Sequence, residues 1–496
     1  MSAQGGQNDD VAELADEYGI DIGPPPSPAI AEAQRAIAAA DDAKGRVDLR
    51  QLPLVTIDGA DAKDFDDAVH CRREGGVFQL TVAVADAASY VVAGSALDDD
   101  ARARATSVYF PGRVLPMLPP ELSEDRCSLR PKEERRALAC EMAIDGAGKV
   151  VKFRFRECLI RSAARLTYPE AEEMLARPPG KDAVEASLAD LAALARILLE
   201  RRERDGAFVL ATPPAEAALD EDAAPAVPER LFAEKLIEEC MLAANRCAAG
   251  FLRTRGQQFL YRVHGRPQEE KAARLRDVLA GAGLKCGARD PARLVIEAAA
   301  AISGIEDAQL RRVLVQNLLQ ALGRASYTPD NEGHFGLGFD EYAHFTSPIR
   351  RYPDLTVHRA IKEALRQERR PAASAKRLAE LRELGAHCSM KEMHAERAVL
   401  DYIARQLGRR LRSQLGMRAE GVVSGMSKGG MFVVFGGQHE GMLRFADMDD
   451  YYVLNQHRTR ARGRRSGRAF AVGMPVPVQV AAVDEATGRC RLALAD

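Results

Sequence analysis

Apolar residues in the first third of the chain form short runs that either alternate with polar residues or fill a whole segment, as β-strands do. Glycine, proline and aspartate separate these runs, and they are residues that interrupt regular strands. The runs are LVTI (54–57), VFQLTVAVAD (77–86), SVYF (107–110), ACEMAI (139–144) and VVKFRFREC (150–158). The pattern predicts a β-rich region from residue 51 to about 160.

The middle of the chain changes to a helical period, with apolar residues three and four positions apart. We predict helices in 165–205, 230–256, 267–284, 292–302, 310–325, 354–367 and 376–413. Residues 326–355 are irregular and rich in Gly, His, Pro and aromatic residues. One large mixed α/β domain over 51–405 is the simplest interpretation.

Residues 415–496 return to short β-type runs between glycine turns, with no long helical pattern. Five such strands in about 80 residues are typical of a small closed barrel such as an OB-fold. The predicted fold class is therefore α+β, a large mixed domain followed by an all-β barrel. We interpret residues 1–50, which hold ten acidic and four basic residues, as an acidic N-terminal tail and lead-in segment.

The composition, 46% hydrophobic and 29% charged, is typical of a soluble globular protein. No apolar run approaches the roughly 18–20 residues that span a membrane, and the N-terminus has no apolar signal core. Nine cysteines without a CxxC pair indicate reduced thiols. We expect a cytoplasmic monomer with no membrane and no disulfide partner.

The net charge of −2 does not itself indicate a nucleic-acid partner, but the charge is uneven. Residues 455–470 carry six arginines and no acid, among them Arg460, Arg462, Arg464 and Arg465. Such a basic patch suits RNA phosphates, and a solvated loop is the alternative.

The stretch TIDGADAKDFDDAV (56–69) holds five aspartates beside apolar runs. A bend at Gly59–Ala62 would bring Asp58, Asp64, Asp66 and Asp67 together. Their mutual repulsion would be relieved by Mg²⁺, or by Mn²⁺, both of which take oxygen ligands. Two alternatives stay open, a solvated acidic loop and an acid/base carboxylate pair; an EF-hand is excluded because Ala60 and Ala62 occupy ligand positions.

A second candidate element lies between Pro348 and Pro353, where two adjacent arginines precede a predicted helix start at Asp354. Guanidinium groups suit phosphate contact and charge stabilisation in a transition state. For either arginine alone, a structural pair with an aspartate is an equally good interpretation.

Five motifs together resemble the catalytic domain of the ribonuclease II/ribonuclease R family, closer to ribonuclease R. They are DGADAKDFDDAV (58–69), SVYFPGRVLPMLP (107–119), LIEECMLAANRCAA (236–249), LYRVHGRP (260–267) and HFTSPIRRYPDLTVHRAIK (344–362). The glycine-rich stretch from residue 421 resembles the OB-fold RNA-binding module of the ribosomal-protein "S-one" type. In this family, cold-shock-type OB-folds commonly precede the catalytic domain, and we expect none in this chain.

The resemblance implies a processive 3′→5′ exoribonuclease that uses Mg²⁺ and hydrolyses single-stranded RNA to nucleoside 5′-monophosphates. It implies that Asp58, Asp64, Asp66 and Asp67 are the acidic site residues and that Asp61 is not one. The residues that it places on the RNA or at the scissile phosphate are Arg350, Tyr109 as a base-stacking ring, and Glu396 near the last nucleotides.

The family's second aromatic clamp aligns with Leu210, so either Phe208, on the same face of a strand, replaces it or the clamp is weaker in this chain. Two other functions remain as alternatives: a catalytically silent RNA-binding or scaffold protein, and a metal-dependent hydrolase of another phosphodiester.

Overall fold

The computed structural model describes residues 2–39, 43–205, 207, 230–366, 374–437 and 439–495. Its helices are α1 (Ser2–Tyr18), α2 (Ser27–Ala38), α3 (Ala96–Arg104), α4 (Tyr168–Leu175), α5 (Ala183–Arg204), α6 (Phe232–Thr254), α7 (Glu269–Gly281), α8 (Pro291–Ser303), α9 (Ala308–Leu322), α10 (Tyr352–Arg366) and α11 (Ala375–Arg412). Within this part of the chain, no helix is both long enough and apolar enough to cross a membrane.

The strands up to residue 328 are β1 (Val47–Asp48), β2 (Val55–Asp58), β3 (Asp67–Glu74), β4 (Val77–Ala85), β5 (Val108–Phe110), β6 (Arg113–Leu115), β7 (Glu134–Ile144), β8 (Val150–Arg161), β9 (Ala164–Thr167), β10 (Tyr261–Val263) and β11 (Ser326–Thr328). Seven of them form one mixed sheet in the order β1-β8-β7-β4-β3-β2-β9. The sheet is antiparallel except where β1 pairs with β8 and β2 pairs with β9.

Both faces of the sheet are buried along most of its central strand β4, which explains why this strand reads as a nearly continuous apolar run. Along β4, Val82 and Val84 belong to a core that includes side chains of α5, α6 and α10. The intervening Ala83 and Ala85 belong to a second core, with residues of α2, α3 and the start of α10. Along β4, the side chains are therefore small on one face of the sheet and larger on the other.

The strands after residue 412 are β12 (Arg418–Ser427), β13 (Gly430–Phe435), β14 (His439–Arg444), β15 (Tyr452–Leu454), β16 (Arg460–Gly463), β17 (Ala469–Ala471), β18 (Pro475–Asp484) and β19 (Arg489–Leu494). Five of them close into a barrel, β12-β13-β14-β19-β18. The predicted five-stranded barrel is thus present, and its core is continuous with residues of α7, α8 and α9.

The description of residues 1–50 as a tail needs correction. Val11 and Leu14 of α1 are buried in a core with residues of β5, β6 and α11. The Asp10 carboxylate lies 2.5 Å from Nη1 of Arg409 and 3.5 Å from Nη1 of Arg405. The acidic composition of this segment suggested a solvated tail. In the structure, Asp10 instead pairs with arginines of the long helix α11.

We expect Leu14→Ala to lower the free energy of unfolding by about 2–5 kcal/mol, since a buried leucine leaves a cavity when it is truncated. The melting temperature, with limited proteolysis of the first 45 residues as a second readout, checks this. Asp16→Ala, on the exposed side of the same helix, is the control. Equal stability of the two variants would mean that α1 does not dock as described.

Candidate active site

The aspartate-rich stretch is a loop that joins two neighbouring strands of the large sheet. Asp58 is the last residue of β2 and Asp67 is the first residue of β3. Between them the chain bends, with the Ala62 amide donating to the Gly59 carbonyl at 3.2 Å. The guanidinium of Arg165, on the adjacent β9, donates to the carbonyls of Gly59 and Ala60 at 2.7 and 2.8 Å. The bend is therefore held by a residue that lies more than 100 positions away.

The second half of the loop is fixed by residues from other strands and turns. The Phe65 amide donates to Oγ of Ser128 at 3.0 Å, and that hydroxyl donates to the Lys63 carbonyl at 2.8 Å. The Asp66 carbonyl accepts the Ala85 amide at 2.7 Å. The loop that carries the carboxylates is thus rigid on both sides of Asp64.

The aspartates of the loop differ in exposure. Asp66 is 4% exposed, Asp58, Asp64 and Asp67 are partly buried, and Asp61 faces solvent. Burial, together with the charge of Asp67, raises the pKa of Asp58. Burial also raises the pKa of Asp66 and of Asp67, and the charge of Arg350 opposes both increases. The cluster therefore has less positive charge around it than its ionised form requires.

The segment from Ser347 to Arg351, which we call the arginine loop, contacts the loop between β2 and β3 at Asp66. The Ile349 amide donates to Oδ1 of Asp66 at 2.9 Å. Nε of Arg350 lies 3.6 Å from Oδ2 of Asp66, and Nη2 of Arg350 donates to Oγ of Ser347 at 3.1 Å. The Arg350 side chain is 43% exposed, so its guanidinium is fixed by contacts at one side and open to a ligand at the other.

Asp354, in the first turn of α10, fixes the arginine loop through two hydrogen bonds. Its Oδ1 accepts the Ser347 amide at 2.8 Å and Nη2 of Arg351 at 2.7 Å, and the carboxylate is fully buried. The structural Arg–Asp pair considered from the sequence is therefore formed by Arg351, whereas Arg350 faces the cluster. The helix starts at Tyr352, two residues before the predicted position, because Pro353 fits the first turn of a helix.

Tyr109 lies on the hairpin formed by β5 and β6. Its hydroxyl donates to Oδ2 of Asp64 at 2.8 Å, and burial and the Asp64 charge raise its pKa. The same hairpin supplies the Ser107 amide to the carbonyl of Arg350 at 2.9 Å. The hairpin thus links the aspartate loop to the arginine loop, and it fixes the direction of the Tyr109 ring.

Sequence reasoning missed Tyr168 and Arg165. Tyr168 starts α4, directly after Thr167, which pairs with Asp58 across β9 and β2. Burial and the negative charges of Asp58 and Asp67 raise the pKa of Tyr168. The available signal was the pattern TYPE, an N-terminal capping box that places a tyrosine on the first helical residue.

The other predicted residues either lie on elements away from the two loops of the site or fall outside the described residues. Glu396 lies exposed on α11, where its Oε2 is 2.5 Å from Nη1 of Arg324. Phe208 lies outside the described residues. Arg460 and Arg462 lie on β16 and Arg464 and Arg465 in the turn after it, all exposed.

The chemistry of the donors suits a hard divalent cation. Oδ2 of Asp58 and Oδ2 of Asp66 are buried and have no hydrogen-bond donor among the described residues. However, no three His, Cys, Asp or Glu side chains in the described ranges are arranged to share one ion, so the expected convergence of four carboxylates on one point is not met. The cluster fits Mg²⁺ in its usual mode, with one or two carboxylates and the remaining ligands from water and phosphate.

Two protein-family models match the chain. The RNB domain matches residues 46–367 and the S1 RNA binding domain matches residues 412–495. The first model covers most of the large mixed domain and the second covers the barrel, and together they confirm the expected fold class.

Individual proteins agree with this assignment. Ribonuclease R of Escherichia coli is 38% identical over 459 residues, which cover 89% of this chain and 56% of that protein. Ribonuclease R of Aquifex aeolicus is 38% identical over 92% of this chain and 65% of that protein. The solved structure of Mycoplasma genitalium RNase R in complex with ribose-methylated single-stranded RNA superposes with a TM-score of 0.88 at 25% identity, covering 99% of this chain and 78% of that one.

This chain thus spans about half to two thirds of the length of these curated relatives. The family model, in contrast, covers more than half of this chain and includes both loops of the site. The chain therefore belongs to the RNB domain family and carries an S1 RNA binding domain after the RNB domain.

Proposed function

We propose that this chain is a processive 3′→5′ exoribonuclease that hydrolyses single-stranded RNA to nucleoside 5′-monophosphates. The observation that carries the proposal is the Arg350 guanidinium beside the buried Asp66 carboxylate, in a cluster short of positive charge. The names of the relatives, Ribonuclease R, support the same activity. We further propose 51–405 as the catalytic domain and 415–496 as the RNA-binding domain.

Each part of the site has a proposed role in cleavage. Asp58, Asp64, Asp66 and Asp67 would hold the cation between them, one or two by direct contact and the others through bound water, and ribonucleases of this family generally depend on a divalent metal. When bound, Mg²⁺ would supply a Lewis acid for the phosphate oxygens. Arg350 would stabilise charge on the phosphate, because its exposed side faces the ligand. Tyr109 would stack on the terminal base, a contact that does not depend on base identity.

Chelation is expected to abolish the activity. With a 5′-labelled single-stranded RNA, we expect progressive shortening in Mg²⁺, recovery in Mn²⁺, and no cleavage in EDTA. A matched DNA strand should stay intact, because a ribonuclease uses the 2′-hydroxyl for recognition. RNA binding without cleavage in Mg²⁺ would favour the silent RNA-binding protein, and equal cleavage of DNA would favour a general phosphodiesterase.

Two further expectations remain proposals. All nine cysteines are unpaired thiols, a state maintained in a reducing compartment such as the cytoplasm. A monomer is our proposal for the oligomeric state, and light scattering on the purified chain measures it directly.

A further inference from the structure

The loop between β2 and β3 (residues 59–66), which we call the aspartate loop, is contacted near both of its ends by one arginine. Nη2 of Arg165, on β9, donates to the carbonyls of Gly59 and Ala60 at 2.7 and 2.8 Å. The guanidinium of the same residue lies 5.6 Å from the centre of the Phe65 ring. Arg165 therefore joins the first residues of the loop to one of its last.

The backbone around Phe65 is held by a second side chain from outside the loop. Ser128 is fully buried, and its hydroxyl accepts the Phe65 amide at 3.0 Å and donates to the Lys63 carbonyl at 2.8 Å. The Leu129 amide donates to the Phe65 carbonyl at 2.9 Å. The amide, the carbonyl and the ring of Phe65 thus all contact other segments, so the aspartates on either side of it in the chain have little freedom to move.

Arg165 differs from the two arginines of the arginine loop in what it binds. In the described part of the chain, Arg165 is hydrogen-bonded to the two backbone carbonyls and to no carboxylate. Arg350 and Arg351, in contrast, each lie within ion-pair distance of an aspartate. Because two carbonyls already occupy Nη2, we assign Arg165 to the support of the loop and not to phosphate contact.

We propose that Arg165 and Ser128 are positioning residues that keep the aspartate loop in the conformation that binds the cation. The inference rests on the proposed function, because it concerns the cation that the carboxylates would hold. Asp58 lies before the bend, whereas Asp64 and Asp67 lie after it, so the shape of the loop sets the distance between them. A loop without these supports would have to be ordered when the metal binds, and this ordering weakens binding.

Charge is the alternative explanation for Arg165. Burial and the charge of Asp67 raise the pKa of Asp58, and the positive charge of Arg165 opposes this increase. Arg165→Lys separates the two explanations, since lysine keeps the charge but ends one atom short of Nη2 and has no planar group. Ser128→Ala tests the same loop without changing any charge. If position matters, the two variants should behave alike.

The test measures metal binding by EPR of free Mn²⁺, with no RNA present. Asp66→Asn identifies the site of interest, because that site should be lost in this variant. The control for the arginine is Arg161→Lys on β8, whose Nη2 donates to Oε1 of Glu134 at 2.7 Å. The control for the serine is Ser123→Ala, a buried serine that donates to two carbonyls of its own turn. In the described structure, neither control residue is hydrogen-bonded to the aspartate loop.

We expect Arg165→Lys and Ser128→Ala each to weaken Mn²⁺ binding by about 10–100-fold, the usual effect of removing a group that orients metal ligands. The Mg²⁺ concentration for half-maximal RNA cleavage should rise by a similar factor, and kcat at saturating Mg²⁺ should return towards that of the wild type. The Kd for RNA in EDTA should stay unchanged. Amide hydrogen exchange of the aspartate loop in the metal-free protein should become faster in both variants.

A purely structural role would lower the melting temperature and leave the Mn²⁺ affinity equal to that of the controls, and this result would overturn the proposal. Normal affinity in Arg165→Lys with weak binding in Arg165→Gln would assign the effect to charge and would also overturn it. If Ser128→Ala does not fold, the two Arg165 variants still decide between position and charge.

Failure of the proposed function looks different from failure of this inference. In that case the wild type would cleave no RNA, whereas Mn²⁺ binding would still depend on Arg165 and Ser128. Cleavage by the wild type with the same Mg²⁺ requirement in all variants would contradict this inference alone.

Discussion

Asp66→Asn is expected to abolish RNA cleavage while leaving the protein folded and able to bind RNA in EDTA. We expect kcat to fall by at least about 10³-fold, because metal assistance is worth several kcal/mol and each 1.4 kcal/mol is tenfold in rate. The substituted amide would keep an oxygen acceptor for the Ile349 amide, which Asp66 supplies at 2.9 Å. It would lack the negative charge that a cation and Arg350 require.

The stability of this variant gives a second, independent readout. Burial raises the pKa of Asp66 well above its usual range, so the ionised carboxylate destabilises the folded state relative to the unfolded one. Removing it should raise the melting temperature of the metal-free protein. A loss of activity caused by misfolding would lower that temperature.

Asp61→Asn is the matched control, since Asp61 lies in the same loop but faces solvent. We expect its cleavage rate to stay within about twofold of the wild type, as for an exposed residue away from the cluster. Comparable losses in the two variants would contradict the division of the aspartates. So would an Asp66→Asn protein that cleaves RNA at a normal rate.

Arg350→Ala should have the second largest effect, a fall in kcat on the order of 10³-fold, by comparison with arginines that stabilise transferring phosphoryl groups. The fall should appear in kcat more than in KM, because a guanidinium aimed at developing charge acts mainly in the transition state. Single-turnover cleavage with excess enzyme separates the two constants.

Arg350→Lys distinguishes charge from geometry. A lysine keeps the positive charge but has no planar fork for two simultaneous contacts, so we expect a rate between those of the alanine variant and the wild type. Ser347→Ala removes the hydroxyl that accepts a hydrogen bond from Nη2 of Arg350. We expect this variant to lose less kcat than Arg350→Ala and to bind RNA as the wild type does. Near-normal kcat in Arg350→Ala would exclude Arg350 from the chemistry.

The sequence predicted those elements whose pattern lies within one short segment of the chain. The alternating apolar runs located β2, β4, β5, β7 and β8, and the density of aspartates marked the loop between β2 and β3. Proline on both sides of Arg350 marked the second loop. The assignment of roles needed the family resemblance, because spacing alone left a solvated acidic loop open.

Contacts between distant segments were not predictable. Arg165 holds the bend at Gly59 only because β9 pairs in parallel with β2, a crossover that no local pattern encodes. Asp354 fixes the arginine loop by accepting a hydrogen bond from the Ser347 amide. In the sequence, Asp354 looks like an ordinary residue at the start of a helix, so this contact could not be predicted. The docking of α1 was hidden for a different reason, since its few apolar residues are outnumbered by polar and acidic ones, and Asp10 among them pairs with α11.

The hydrogen bond between Asp66 and the Ile349 amide joins residues separated by 283 positions. Proteins emerge from the ribosome N-terminal end first, so the aspartates are made long before the loop that opposes them. A chain released or stalled before residue 350 would carry the carboxylates without the arginine. The proposed active site would thus be complete only late in the synthesis of the chain, after the mRNA segment that encodes most of the RNB domain has passed through the ribosome.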